Sequence, residues 1–147
     1  MERFSPKRII LDKQLKTSTK SYIFRTAKIK KTIIFYNQAS NKKIKLFKKK
    51  GIILVKMKIH NNCFDLNSLL KKLYFLGCRN LLVEGGDNLS NSFLKKKLFN
   101  QFYLFKSSIN LSKLSDFKEF NSFKYLSKNY KNKPKVFKNV GKDLIYL

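Results

Sequence analysis

The sequence predicts an α/β fold: a mainly parallel central sheet flanked by helices, with an antiparallel part at the C-terminal end. Three observations lead there. Short apolar runs of strand length recur at Arg8–Leu11 (RIIL), Thr32–Tyr36 (TIIFY), Ile52–Val55 and Leu81–Val83. Segments with helical spacing fall between them, and such alternation produces parallel strands whose crossover helices cover both faces. Beyond about residue 105 the alternation gives way to short runs broken by turn residues, the pattern of an antiparallel meander.

The elements follow in order. Residues 1–6 are a lead-in closed by Pro6, and Arg8–Leu11 is a β-branched strand with Asp12 at its end. Thr17–Thr19 belong to a polar loop, and Tyr22–Phe24 touch the core before the second strand, Thr32–Tyr36. Asn41–Lys50 is lysine-rich with Ile44, Leu46 and Phe47 interspersed, a surface helix stopped by Gly51. After the strand Ile52–Val55, Asp65 opens the clearest helix. Leu66, Leu69, Leu70, Leu73 and Leu76 form one apolar stripe, Asp65 suits the N-cap, and Gly77 suits the position just past the end. Leu81–Val83 follows as the central strand. Phe102–Phe105 reads as a further strand, Asn110–Asn121 is polar and poorly periodic, and Phe123–Tyr130, Val136–Val140 and Leu144–Leu147 read as short strands. No repeat or linker divides the chain, so residues 1–147 are expected to form one domain.

One stretch carries more than fold information: Leu81-Leu-Val-Glu-Gly-Gly-Asp-Asn-Leu-Ser-Asn-Ser-Phe-Leu94. Glu84 stands where the strand should end. Gly85 and Gly86 permit a backbone path closed to residues with a Cβ. From Asp87 the period becomes helical, with Leu89, Phe93 and Leu94 on one side and Asp87 or Asn88 as cap. A strand, a glycine turn and a helix start aim backbone N–H groups and a positive dipole end at one spot, a seat for phosphate. The same spacing also describes a plain strand-to-helix connection. Asp12 is likewise open to two readings, a turn or cap residue and a site carboxylate, because ligands in parallel sheets bind at the carboxyl ends of strands.

Composition bounds the rest. The chain carries 34 basic and eight acidic residues, a formal charge of +26 that invites a nucleic-acid reading. Only four of the basic residues are Arg (Arg3, Arg8, Arg25 and Arg79), whereas bidentate reading of phosphates and bases favours Arg. Lys, Asn, Ile, Phe and Tyr share A/T-rich codons, and base composition accounts for scattered lysines without a selected partner, so no specific nucleic acid is expected. Cys63 and Cys78 form no CxxC pair, which suits a reducing cytoplasmic compartment. His60 is the sole histidine, which excludes a multi-histidine metal site within this chain. No signal peptide and no run of about 20 apolar residues is present, so no membrane association is expected.

Taken together, Arg8-Ile-Ile-Leu-Asp12, the stretch Leu82-Val-Glu-Gly-Gly86 with Leu89, Ser92, Phe93 and Leu94, Asn100-Gln-Phe-Tyr-Leu-Phe105 and the closing Val140-Gly-Lys-Asp143 resemble a known family. It is the C-terminal reductase domain of the bifunctional riboflavin-biosynthesis deaminase-reductase, which shares its fold with dihydrofolate reductase. That family's corresponding motifs are R-V-V-x-D-S, L-L-V-E-G-G-x-x-L-x-x-S-F-L and D-E-L-x-L-Y. The resemblance implies NADPH-dependent reduction of 5-amino-6-(5-phosphoribosylamino)uracil. It makes Glu84 a substrate contact and Gly86, Asp87, Asn88, Leu89, Ser90, Asn91 and Ser92 the cofactor loop and helix start. Lys13 stands where the family has a cofactor-contacting serine, and can meet a phosphate as a point charge. Asp87 would oppose a phosphate unless it turns away to cap a helix.

The family's earlier segments, a strand ending in S-L-D-G and a stretch ending in D-D-P-x-L-T-x-R, have no match here, so the chain is expected to lack the N-terminal part of the family fold. The resemblance therefore leaves room for a remnant or one part of a split enzyme, with a homodimer or a complementing N-terminal segment as partner. The alternative from charge alone is a basic, non-catalytic nucleic-acid-binding module.

Overall fold

The computed structural model describes residues 6–106, 121–129, 136–140 and 143–146. They fall in two compact units, Met1–Leu76 and Gly77–Leu147.

The first unit is built on three parallel strands in the order β1-β2-β3: β1 (Arg8–Leu11), β2 (Thr32–Tyr36) and β3 (Ile53–Lys56). Ile9 lies opposite Ile33 and Phe35 opposite Val55. The central strand β2 is buried along its whole length, which is why TIIFY is continuously apolar after Thr32. Its side chains alternate between faces. Ile34 and Tyr36 join Leu15, Phe24, Ala27, Phe47 and Ile52 in one core cluster, where the Phe24 and Phe47 rings meet edge to face at 5.0 Å. Ile33 and Phe35, on the opposite face, are equally buried.

Two helices serve that cluster. α1 (Tyr22–Arg25) is a single turn capped by Ser21, and it contributes Phe24. α2 (Asn41–Lys49) is capped by Ser40 and contributes Phe47. Gly51 ends it at φ +83°, with the Gly51 and Ile52 N–H groups donating to the carbonyls of Lys48 and Phe47. A two-residue-per-strand hairpin, β4 (Ile59–His60) and β5 (Cys63–Phe64), leads into α3 (Leu66–Phe75). Asp65 caps α3 through the Ser68 N–H, Gly77 takes φ +78° beyond it, and Leu66, Leu69 and Leu73 are buried, all as the spacing predicts.

Arg8 fastens this unit from within. Its guanidinium donates to the hydroxyls of Thr26 and Thr32 and to the carbonyls of Ile23 and Lys30, while its Nε is buried without a partner among the described residues. One planar fork thus joins β1, α1 and β2.

The second unit contains α4 (Asp87–Lys95), β6 (Leu104–Lys106), α5 (Asn121–Asn129), β7 (Val136–Val140) and β8 (Asp143–Tyr146). The strands form an antiparallel sheet in the order β6-β8-β7, with an irregularity in register between Val136 and Lys138. The architecture is an α/β arrangement with a parallel three-stranded sheet flanked by helices and a small antiparallel sheet.

Two expected strands differ. Leu81–Val83 is not a strand: no described strand pairs with it, and Leu82 is 77% exposed. An apolar run becomes a strand only where a neighbour takes up its N–H and C=O groups. Phe123–Tyr130 lies mostly in α5, because Phe123 and Leu126 are also three apart and a carboxylate from α4 holds the first turn, as described below. Most of Asn110–Asn121 and of the break before Pro134 lie outside the described residues.

Candidate functional site

In the first unit the carboxyl ends of β1 and β2 open onto a polar cleft of about 430 Å³. The Lys13 carbonyl receives the N–H groups of Asn37 and Gln38, so the chain leaving β1 and the chain leaving β2 run side by side as its floor. Asp12, Lys13, Gln14, Lys16, Asn37, Gln38 and Asn62 supply the polar lining, with Leu11 and Ile59 the apolar part.

Asp12 takes the local role. Its Oδ1 accepts the Lys16 N–H at 2.9 Å, and its Oδ2 accepts the Thr17 N–H and hydroxyl, each at 2.7 Å. Partial burial pushes its pKa up. Hydrogen bonds from the Lys16 N–H, the Thr17 hydroxyl and the N–H groups of Thr17 and Gln14 together outweigh that and hold it below the ordinary carboxylate value. The loop so tied includes Leu15, which is fully buried at φ +50°, and whose carbonyl receives the Lys43 ammonium at 3.1 Å.

Lys13 reaches the tip of the β4–β5 hairpin. Its Nζ donates to the Asn62 carbonyl at 2.8 Å and to Asn62 Oδ1 at 2.7 Å. Asn61 and Asn62 both have positive φ, +47° and +60°, the two-residue hairpin turn that asparagine tolerates. Gln14, Lys16, Asn37, Gln38, Ile59 and Asn62 were not among the expected site residues. The Asn-Asn pair between Ile59-His60 and Cys63-Phe64 is the signal that locates the hairpin, although nothing local says that Lys13 meets it.

In the second unit Glu84 is exposed at the end of the Leu81–Val83 run, and Gly86 is the N-cap of α4. The cap is neither Asp87 nor Asn88 as expected, and no side chain closes it. Neither glycine takes a left-handed conformation: Gly86 sits at φ −67°, ψ 171°, open to any residue. A Cβ on Gly85 would come within 2.8 Å of Leu89 Cδ2 and 3.0 Å of its Cβ, whereas a Cβ on Gly86 would meet nothing within 4 Å. A side chain at Gly85 would thus have to displace Leu89, whereas no described residue stands in the way of one at Gly86.

Asp87 turns away from its own helix end. Its Oδ1 receives both the N–H and the hydroxyl of Ser122 at 2.8 Å, capping the first turn of α5. Ser90 donates to the Gly85 carbonyl at 3.4 Å and Ser92 to that of Asn88 at 2.7 Å. Asn88 is exposed and Leu89 half-buried, while Asn91 Oδ1 is buried without a partner among the described residues. No group of three or more His, Cys, Asp or Glu that could hold a metal occurs among the described residues, and no helix there is long and apolar enough to cross a membrane.

The sequence model of the RibD C-terminal domain matches residues 1–113. Among curated proteins, the riboflavin biosynthesis protein RibD of Actinobacillus pleuropneumoniae is 33% identical over 100 residues, which cover 68% of this chain and 27% of that protein. RibD of Aquifex aeolicus is 28% identical over 140 residues, covering 95% of this chain and 37% of its own. The chain thus spans about a quarter to a third of the length of these relatives. With the α/β architecture and the Glu-Gly-Gly entry to α4 in place, the chain belongs to the RibD C-terminal domain family, whose fold is that of dihydrofolate reductase.

Proposed function

We propose that the chain is a riboflavin-biosynthesis reductase domain, which reduces 5-amino-6-(5-phosphoribosylamino)uracil with NADPH in the cytoplasm. The observation that carries this reading is the entry to α4. Gly86 leaves the helix start without a side-chain cap, and its missing Cβ faces open space. An open helix N-terminus with its positive dipole end suits a pyrophosphate. Asp87, the one acid in the first turn, places its Oδ1 on Ser122.

NADPH, when bound, supplies the hydride; the chain binds and orients. Gly86, Asp87, Asn88, Leu89, Ser90, Asn91 and Ser92 hold the cofactor at the start of α4, and Glu84 binds the pyrimidine substrate. The longer relatives make a complementing N-terminal segment the natural partner, with a second copy of the chain as the other arrangement.

The test is Gly86→Ser. The backbone at position 86 already has the extended conformation of a capping serine. The hydroxyl should therefore occupy helix N–H groups and stabilise the protein slightly, by roughly 0.3 kcal/mol, since glycine is itself a tolerated N-cap. The same occupancy should weaken NADPH binding about tenfold. Glu84→Gln should keep cofactor binding and lose reduction of the pyrimidine. NADPH fluorescence titration and thermal melts, with and without the remaining part of a relative's chain, read both outcomes. Wild type that binds no NADPH in either setting would refute the reading, and so would Gly86→Ser with unaltered affinity.

The charge supports no second reading. The lysines occur in loops, helices and strands alike, and one of the four arginines, Arg8, is tied by hydrogen bonds to residues of its own unit.

A further inference from the structure

Part of the positive charge gathers in space over α1 and α2. Nine lysines and Arg25, and no acid, lie between Tyr22 and Lys50. The two helices meet through the Phe24 and Phe47 rings, and the Lys50 ammonium lies over the Phe24 ring at 5.9 Å. The turn after α1 continues this surface. The N–H groups of Ile29 and Lys30 both donate to the Thr26 carbonyl, and the Lys30 ammonium lies over the Tyr22 ring at 5.4 Å. The Lys28 stem reaches Gly51, the glycine that ends α2.

Two apolar side chains stand among these charges. Ile29, at the tip of the turn, is 65% exposed, and Leu46 is 44% exposed. Leu46 shares the outward stripe of α2 with Lys42 and Lys49, while Ile44 and Phe47 pack on the core.

Exposed apolar residues within a charged surround have the composition of a protein-docking surface. Charge and shape narrow the partner. A second copy in a two-fold contact would set this face against itself, cation against cation. A bilayer takes up the apolar side of a surface helix, and that side of α2 is turned inward. Bases stack on open aromatic faces, whereas Phe24 is buried and Lys30 lies over Tyr22.

We infer that the outer surface of α1, α2 and the turn at Ile29 docks a protein surface rich in carboxylates. Ile29 and Leu46 form the apolar centre of the contact, and the surrounding lysines meet the carboxylates. The inference stands apart from the reductase reading, which adds only that a complementing chain would carry the acidic surface.

The experiment measures fluorescence anisotropy at about 0.15 M salt, where long-range attraction is screened. The probe is a labelled helical peptide of about twenty residues, with leucines on one face and glutamates on the others. A peptide of equal charge without leucine, a single-stranded RNA and phosphatidylserine vesicles are the comparisons. Wild type should bind the leucine-bearing peptide about tenfold more tightly than the plain acidic one. The triple variant Lys28→Glu, Lys42→Glu, Lys49→Glu should lose at least about tenfold for it. Its α2 should persist, since a carboxylate in the first turn offsets one in the last. Lys71→Glu, Lys72→Glu, Lys95→Glu, of the same net charge, should lose little. Ile29→Ser leaves the charge unaltered and should bring the leucine-bearing peptide down to the affinity of the plain one.

Equal losses in the two triple variants would mean that net charge alone attracts the peptide, and would overturn the inference. Unaltered binding by Ile29→Ser would do the same. So would RNA or vesicle binding that falls only in the first triple variant while peptide binding does not. None of these outcomes depends on NADPH binding at α4, so the two readings fail separately.

Discussion

Asp12 is a carboxylate at a strand end whose oxygens are taken up by the loop that follows. Because its pKa is lowered in the fold, it contributes stability that is complete above the unfolded value near 3.9 and is lost as pH falls through the folded value. Asp12→Asn should cost about 1 kcal/mol at pH 7, the low end for a buried bond because solvent screens this half-exposed group. The difference from wild type should shrink as pH drops below 4, since the wild-type carboxyl then carries a proton. Urea midpoints at pH 7 and pH 3 check both parts. Position and residue type at Asp12 were legible in the sequence. The choice between its two readings was not, because it depends on where Lys16 and Thr17 turn back. Lys13 was legible as a charge that could meet phosphate; its tie to Asn62, 49 residues away, was not.

Longer elements with local signals were readable, β1 and β2 as apolar runs, α2 through Gly51, α3 through Asp65 and Gly77. The one-turn α1 and the two-residue strands β4 and β5 are too short to show a period. Elements that depend on a distant partner were misread. Leu81–Val83 has the bulk of a strand without a described neighbour, and α5 takes its cap from Asp87, 35 residues away. The end of α4 shows a different economy. The N–H groups of Lys97 and Leu98 donate to the carbonyls of Leu94 and Phe93, the closure used at Gly51, but the left-handed position is filled by Lys97 at φ +53°. Lys97→Gly should therefore raise stability by about 1 kcal/mol, as the steric cost at that residue is removed. Gly85→Ala should lower it by a similar amount, because its Cβ must displace Leu89. Thermal melts of the two variants should move in opposite directions.

At the scale of the whole molecule, the balance of charge was plain in the sequence, although its consequence depends on where the acids are missing. The stretch from Lys13 to Phe64 carries no carboxylate, and it supplies most of the lining of the cleft beside Asp12. On the proposed reading an approaching anionic cofactor should be drawn inward before it touches any side chain, and should associate faster than with a neutral target. Added salt shortens the reach of that attraction to about 8 Å at 0.15 M and leaves bonds already made nearly unchanged. Stopped-flow traces with a phosphorylated ligand should show the association rate falling steeply as salt rises, and the dissociation rate almost constant. The lysines that make no bond to a ligand would then set the speed of its capture, and the few that line the cleft the length of its stay.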